Sequence, residues 1–200
     1  MAPRPDPAET RELILEAARR CFARKGYYRT SMDDIVAESG LSKGTLYWHF
    51  ENKRALFLAL FDRLMGEVFA PTEEIMSGDA PVSERLRRLG VAVSEAIAAH
   101  PEFAAVPANF LLELWQDEEF ARHYLAMLES LVEQTEALLQ EGIERGEFRP
   151  MDVHEVTWGL MALYDGIILY HMIGLPGDLK TRLVTMTDLV VEGMRKRDNS

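Results

Sequence analysis

The residues best equipped for chemistry crowd into one short stretch. Ser42, Lys43, Thr45, Tyr47, Trp48, His49 and Lys53 bring hydroxyls, ammonium groups, an imidazole and two large rings close together in the chain. Donors and flat rings of this kind suit base edges and phosphates along a DNA major groove. Leu46 and Phe50, at i and i+4, define the buried side of a short helix. At 100° per residue, Gly44, Thr45 and Trp48 then point outward, with Lys43 and Tyr47 flanking them on one side and His49 on the other. The competing reading is a plain helical hairpin with a solvated aromatic face. Adjacent exposed rings at Tyr47 and Trp48 count against it, because large apolar patches seldom stand idle in water. Gly44 costs about 0.8–1.0 kcal/mol against Ala inside a helix, and close approach to another backbone would account for it.

Such a helix needs a second one to hold it. Met32, Ile35 and Val36 form the apolar stripe of a preceding helix that opens with Ser31 as N-cap. Gly40 follows as the left-handed stop, Leu41 as an apolar plug between the helices, and Ser42 as the next cap. This is the pattern of a helix-turn-helix.

The run TSMDDIVAESGLSKGTLYWHFENK, from Thr30 to Lys53, resembles the DNA-binding domain of tetracycline-repressor (TetR) family regulators. The likeness covers about the first quarter of the chain, from the helix around Leu13 to the start of the helix after Asn52; beyond Leu56 it is architectural only. It implies an all-α protein of about nine helices. Residues 1–8 would be a flexible arm, 9–55 a three-helix helix-turn-helix DNA-binding domain, 56–196 a larger helical effector-binding and dimerisation domain, and 197–200 a flexible tail. It further implies a homodimeric transcriptional regulator, a repressor by family expectation, that needs no cofactor and is released from an inverted-repeat operator by a small, largely apolar effector. By the same resemblance the base-reading residues are Lys43, Gly44, Thr45, Tyr47, Trp48 and His49. The phosphate contacts fall on Thr30 or Ser31, Ser42, Tyr47 and Lys53. Trp48 is a departure, standing where the family often has a tyrosine.

Charge is unevenly shared. The 200 residues carry a formal net charge of −11. Residues 1–55 hold ten Lys/Arg against eight Asp/Glu, a net of +2, and residues 56–200 hold twelve against twenty-five, a net of −13. Affinity for DNA must therefore come from locally placed cations and hydroxyls, and should be salt-sensitive. Met1 to Pro7 shows prolines at positions 3, 5 and 7 and no apolar run, which reads as an arm rather than a signal peptide and points to the cytoplasm. The single cysteine, Cys21, lies on the apolar face Ile14, Ala17, Ala18, Cys21, Phe22 and reads as core; nearby Arg19, Arg20, Arg24 and Lys25 make a redox role conceivable. Arg4 reads as part of a solvated tail, with a minor-groove contact as the alternative.

Behind Asn52 and Lys53, a helix from near Ala55 to about Met76 carries Leu56, Phe57, Leu60, Phe61 and Leu64. Breaks follow at residues 77–81, 100–101, 116–117, 146–150 and 174–177. The segments between them show helical period, as in Val82, Leu86, Leu89, Val93 and Ile97, or Tyr124, Leu128, Leu131, Thr135 and Leu138. No strand pattern appears. Pro107 should kink the segment from Glu102 to Trp115 or make it begin afresh at Ala108. Glu155 to Ile173 is apolar almost all round, which predicts burial on several sides. A membrane span is the rival there, but Asp165, Gly166 and His171 weaken it. In the last helix Leu179, Leu183, Met186, Val190 and Met194 form a seam that wants a partner, and with the preceding helix it would build a four-helix dimer interface.

Candidate effector contacts are Phe110, Leu114, Trp115, Tyr124, Met127, Trp158, Met161, Tyr164 and Asp165, although aromatic stripes at helical spacing are more often plain core. Asp165, a carboxylate in an apolar helix, must be paired, protonated or facing a wet cavity. A cap, or a pair with an Arg in the dimer seam, is the expected role, with a bound cation or amine as the other reading. His49, His100, His123, His154 and His171 do not share a face with a third ligand, so no metal site is expected. Asp165 and His171 stand six residues apart, a net rotation of 240° that makes their side chains diverge, so an acid/base pair and an enzyme are not expected. A further class is a small-molecule-binding or scaffold protein that uses the helix-turn-helix for a protein contact.

Overall fold

The computed structural model describes residues 6–99 and 117–196. Every regular element in them is helical, apart from one isolated bridge between Phe148 and Arg195. The helices are α1 (Pro7–Arg29), α2 (Met32–Ser39), α3 (Lys43–His49), α4 (Lys53–Met76), α5 (Val82–Ala99), α6 (Glu118–Glu144), α7 (Val153–Met172) and α8 (Leu179–Met194). Among the described residues that makes eight. The segment expected to supply a ninth, Glu102 to Trp115, lies outside them, and so do the ends of the arm and the tail.

Two compact units share the chain. The first holds α1 to α3 and α4 as far as Gly66, and it also takes in Phe120 from the first turn of α6. Its core is Ile14, Leu15, Phe22, Ile35, Leu46, Leu56, Phe57 and Leu60, all fully buried. Burial of each such side chain is worth about 1.5–3 kcal/mol against exposure, which is what holds three short helices in one arrangement. Phe120 completes this core. Its ring meets Tyr27 edge-on at 6.0 Å and Phe57 at 5.7 Å, and Arg54 pairs with Asp117 and with Glu119, the latter at 2.7 Å. The first unit thus runs past the expected boundary at residue 55, because α4 is one continuous helix from Lys53 whose first three turns are apolar on the side facing α1.

The second unit joins the rest of α4 and α6 with α5, α7 and α8. Its core packs Val82 and Leu86 of α5, Leu138 and Leu139 of α6, Phe148, Leu160 of α7, and Val191 and Met194 of α8. Two polar fixtures tie it down. Arg85, 2% exposed, donates to the Met76 carbonyl at the end of α4 and pairs with Glu141 of α6 at 2.5 Å. Glu147 accepts hydrogen bonds from the backbone amides of Val82 and Ser83, which caps α5 from a distant loop.

Two expectations change here. The seam on α8 finds its partner inside its own chain: Leu179, Leu183 and Met194 are buried, α8 lies along α5, and Thr187 bonds Tyr164 of α7 at 2.5 Å. Within the chain those three side chains are covered, and Met186 and Val190 are half-buried beside them. Nor is α7 buried on several sides. Thr157 and Leu160 face the core, whereas Trp158, Leu169 and Tyr170 are exposed. An all-round apolar helix was satisfied on one side only within a single chain.

Candidate nucleic-acid interface

The local structure of α2 and α3 follows from their caps. Ser31 and Asp34 form a reciprocal capping box, with Ser31 Oγ accepting from the Asp34 amide at 3.1 Å and Asp34 accepting from the Ser31 amide at 2.8 Å. Gly40 ends α2 at φ 70°, a left-handed conformation that a residue with a Cβ adopts only under strain. Ser42 caps α3 by accepting from the Thr45 amide at 3.0 Å. Its hydroxyl also bonds the Thr45 hydroxyl at 2.8 Å. Only Leu46 of α3 is buried. That single anchor and Phe50 beyond it fix the rotation of the helix.

The outward side is as open as the spacing implies. Trp48 is 72% and Tyr47 44% exposed, Lys43 and Gly44 are exposed, and Thr45 and His49 are half-buried. Trp48 meets the His49 ring edge-on at 4.6 Å, so the two rings brace each other. A Cβ placed on Gly44 would meet nothing nearer than Ser42 Oγ at 3.8 Å. The close approach expected at Gly44 is therefore not to its own chain, and the missing side chain leaves a notch on the exposed face.

Ion pairs lock α2 onto α1. Arg20 and Arg24 both hold Glu38, at 2.7 and 2.5 Å, and Lys25 holds Asp34 at 2.6 Å. The arginines pull the Glu38 carboxyl below its usual range, and Lys25 with the Ser31 cap does the same for Asp34. Most cations of α1 are thereby committed to the scaffold. Lys43 pairs with Asp33 at 2.8 Å, both well exposed, and this bond raises the Lys43 pKa. Asp33 thus sits on the reading face as a competitor for the cation, which the spacing alone did not reveal.

The phosphate candidates divide. Thr30 is buried, and its hydroxyl donates to the carbonyls of Gly26, at 2.8 Å, and Cys21, at 3.3 Å. It is a scaffold residue, so of the two alternatives Ser31, which is exposed, is the one that can meet a phosphate. Lys53 is half-buried; it donates to the Tyr27 carbonyl at 2.8 Å and stands over the Tyr27 ring at 4.3 Å. Tyr28, 59% exposed, lies three residues before Ser31 and was not singled out by motif or period. Cys21 is 1% exposed and burial raises its thiol pKa, the opposite of what a reactive thiolate needs.

In the second unit, Tyr124 donates its hydroxyl to Asp165, and both pKa values are raised, that of Tyr124 to about 12, by desolvation first. Within the chain Asp165 therefore has the Tyr124 phenol as a partner. Tyr164 packs against the core and its hydroxyl bonds that of Thr187. Met127 and Met161 are half-buried and Trp158 partly exposed, while Phe110, Leu114 and Trp115 lie outside the described residues.

A short capped helix with one buried anchor, held on a second helix and presenting rings, hydroxyls and a lysine, defines a helix-turn-helix DNA-binding transcription regulator. Residues 14–60 match the family model described as bacterial regulatory proteins of the tetR family, and residues 91–178 match the tetracyclin repressor-like C-terminal domain. The chain belongs to the tetR family. It is 31% identical over 159 residues to an uncharacterized HTH-type transcriptional regulator, YfiR, of Bacillus subtilis, covering 78% of this chain and 76% of that one. Among solved structures it is similar to the fatty acid degradation regulator FadR of Bacillus halodurans, with TM-score 0.81, 25% identity, and 98% and 100% of the two chains covered. It is also similar to a transcriptional regulator of Saccharomonospora viridis in complex with choline, with TM-score 0.79, 25% identity, and 95% and 100% covered.

Proposed function

We propose that this regulator is a cytoplasmic homodimeric repressor that binds an inverted-repeat operator and leaves it when a small effector enters the second unit. The observation that carries the reading is the open face of α3, where Trp48, Tyr47 and Lys43 lie exposed around Gly44. Covering such a face with a partner repays its exposure, and a major groove accepts a helix of this width. The choline complex of the Saccharomonospora viridis relative supports the binding of a small effector. So does the Tyr124–Asp165 pair, a polar couple in otherwise apolar surroundings. Among the described residues no helix is long and apolar enough to cross a membrane. Effector and operator would be coupled by about 1–3 kcal/mol through two arrangements of the dimer, only one of which matches successive major grooves.

The test is fluorescence anisotropy with labelled fragments from the region upstream of the gene. Lys43→Ala and Tyr47→Ala should each weaken binding at least tenfold with the helical circular dichroism unchanged. A dimer contacting about three to five phosphates per half should show a log–log salt slope on the order of −5 to −9. Unaltered affinity in both variants would sink the DNA-reading assignment and favour a protein contact.

A further inference from the structure

Among the described residues, Arg29 is the one cation of α1 that faces no carboxylate. Arg11, Arg19, Arg20, Arg24 and Lys25 each stand within 3.8 Å of one, and Lys43 of α3 leans on Asp33. The Nε of Arg29 donates to the Lys25 carbonyl at 2.9 Å. That bond fixes the root of the guanidinium and leaves both Nη groups without an acceptor among the described residues. The side chain is exposed, so its charge is open to a partner from outside.

Arg29 stands at the start of the link between α1 and α2. Thr30 (φ −93°, ψ 127°) and Ser31 (φ −102°, ψ 162°) are extended, and in extended backbone successive side chains alternate in direction. Thr30 turns inward at 2% exposure, so Arg29 and Ser31, both exposed, share the outward side. A second cation reaches the same link: the Nζ of Lys53 donates to the Tyr27 carbonyl at 2.8 Å. In a helix-turn-helix the first helix crosses the phosphate backbone while the second enters the groove, which brings the opening of α2 to the backbone.

A phosphate oxygen is an acceptor and needs donors. Ser31 has none to spare. Its hydroxyl gives its hydrogen to Asp34 at 2.8 Å and accepts from the Asp34 amide at 3.1 Å, so donating elsewhere would open the cap of α2. Asp34 also brings a carboxylate to this end, and Lys25 is spent in balancing it. An arriving phosphate therefore needs a further cation with hydrogens to give. The planar Nη fork of Arg29, two residues from Ser31, matches two phosphate oxygens at once.

We infer that Arg29 is a phosphate-binding residue that docks the start of α2 on the DNA backbone beside the groove that α3 enters. This rests on the reading of α3 as the base-reading helix, and it adds a contact that carries no sequence information.

The experiment is fluorescence anisotropy of the full-length protein over a salt series, with two labelled duplexes of equal length, one from upstream of the gene and one of unrelated sequence. Arg29→Gln removes the charge from an exposed position and keeps the fold. It should weaken binding to both duplexes by a similar factor, on the order of tenfold for a dimer, and lower the log–log salt slope by about 0.9 per subunit. Arg29→Lys, which keeps the charge, should restore the slope. An unchanged slope in Arg29→Gln overturns the assignment. So does Arg29→Lys with the slope of the Gln variant, or a loss confined to the upstream duplex. Lys43→Ala and Tyr47→Ala, measured in parallel, keep the two readings apart. If they weaken binding to the upstream duplex while Arg29→Gln changes nothing, the Arg29 contact falls and the reading of α3 stands. A wild type that binds neither duplex overturns both.

Discussion

At the scale of single residues, the reading face balances attraction against a built-in competitor. Lys43 shares its charge with Asp33 across 2.8 Å, and a DNA phosphate arriving at Lys43 must approach that carboxylate. Asp33→Asn removes the repulsion without touching a buried contact, so operator affinity should rise severalfold, most at low ionic strength where exposed charges are least screened. Weaker binding by this variant in an anisotropy titration would show that Asp33 positions Lys43 rather than competing for it. Asp34 acts in the opposite sense, on stability. Lys25 and the Ser31 cap lower its folded pKa beneath the ordinary 3.8, so its contribution is present above that pH and fades as pH falls through the lowered value. The stability difference between wild type and Asp34→Asn in urea melts should therefore be full at pH 6 and shrink progressively below pH 3.8. A difference independent of pH would mean that cap geometry, not charge, is what Asp34 supplies. Residues of this kind were legible in part. Ser31, Gly40, Ser42, Leu46 and Phe50 act through their own few neighbours, so local spacing located them. Thr30 misled because its hydroxyl turns back onto the end of α1, the helix it caps, and is spent on the carbonyls of Gly26 and Cys21, a local bond that the residue type leaves open.

At the scale of elements, α6 and the turn after it are held by an exchange of volume. Gly142 lies beneath the Phe148 ring so closely that a Cβ there would overlap ring carbons, and the Gly142 carbonyl accepts from the amides of Glu147 and Phe148. Phe148 is 1% exposed and belongs to the core of the second unit. Gly142→Ala, ordinarily favourable in a helix, should instead destabilise by about 1–3 kcal/mol, because the ring cannot withdraw without vacating the core. A thermal melt at or above the wild-type midpoint would refute this. The same elements mark where period ceases to inform. Among the described residues, helix existence and ends behind Leu56 were legible, because turn residues such as Gly146, Pro150, Gly174 and Pro176 punctuate regular apolar spacing. Which helix each stripe faces was not. The spacing of Leu179, Leu183 and Met194 announces a neighbour without saying whether it is α5 of the same chain or a helix of another, and the all-round apolar character of α7 carries no direction at all. Only the fold shows which side of α7 stays bare.

At the scale of the whole molecule, that bare side says how two copies would meet. Gly159, Ala162 and Gly166 form a strip of small residues on α7, and Trp158, Leu169, Tyr170 and Ile173 stand exposed around it, Ile173 at 64%. On α8, Leu189 is 61% exposed, opposite the buried row of Leu183, Thr187 and Val191. Small residues let two backbones approach, and the large ones then bury against the partner, so the interface we propose lies on the outward face of α7 with Leu189 of α8, the same two helices to which the spacing pointed. A charge at its rim should be intolerable, since pairing two copies would bury it twice. Ile173→Glu combined with Tyr170→Glu should shift the protein to monomer in sedimentation velocity while the helical circular dichroism is kept, because both side chains are already in solvent within one chain. The consequence for function follows from symmetry. A monomer reads one half-site and neutralises half the phosphates, so the salt slope on an inverted repeat should fall to about half the dimer's value and affinity should drop with it. If the double variant still sediments as a dimer, the partner surface lies elsewhere. If it becomes monomeric yet binds the inverted repeat as tightly as before, operator recognition does not depend on pairing two copies of α3.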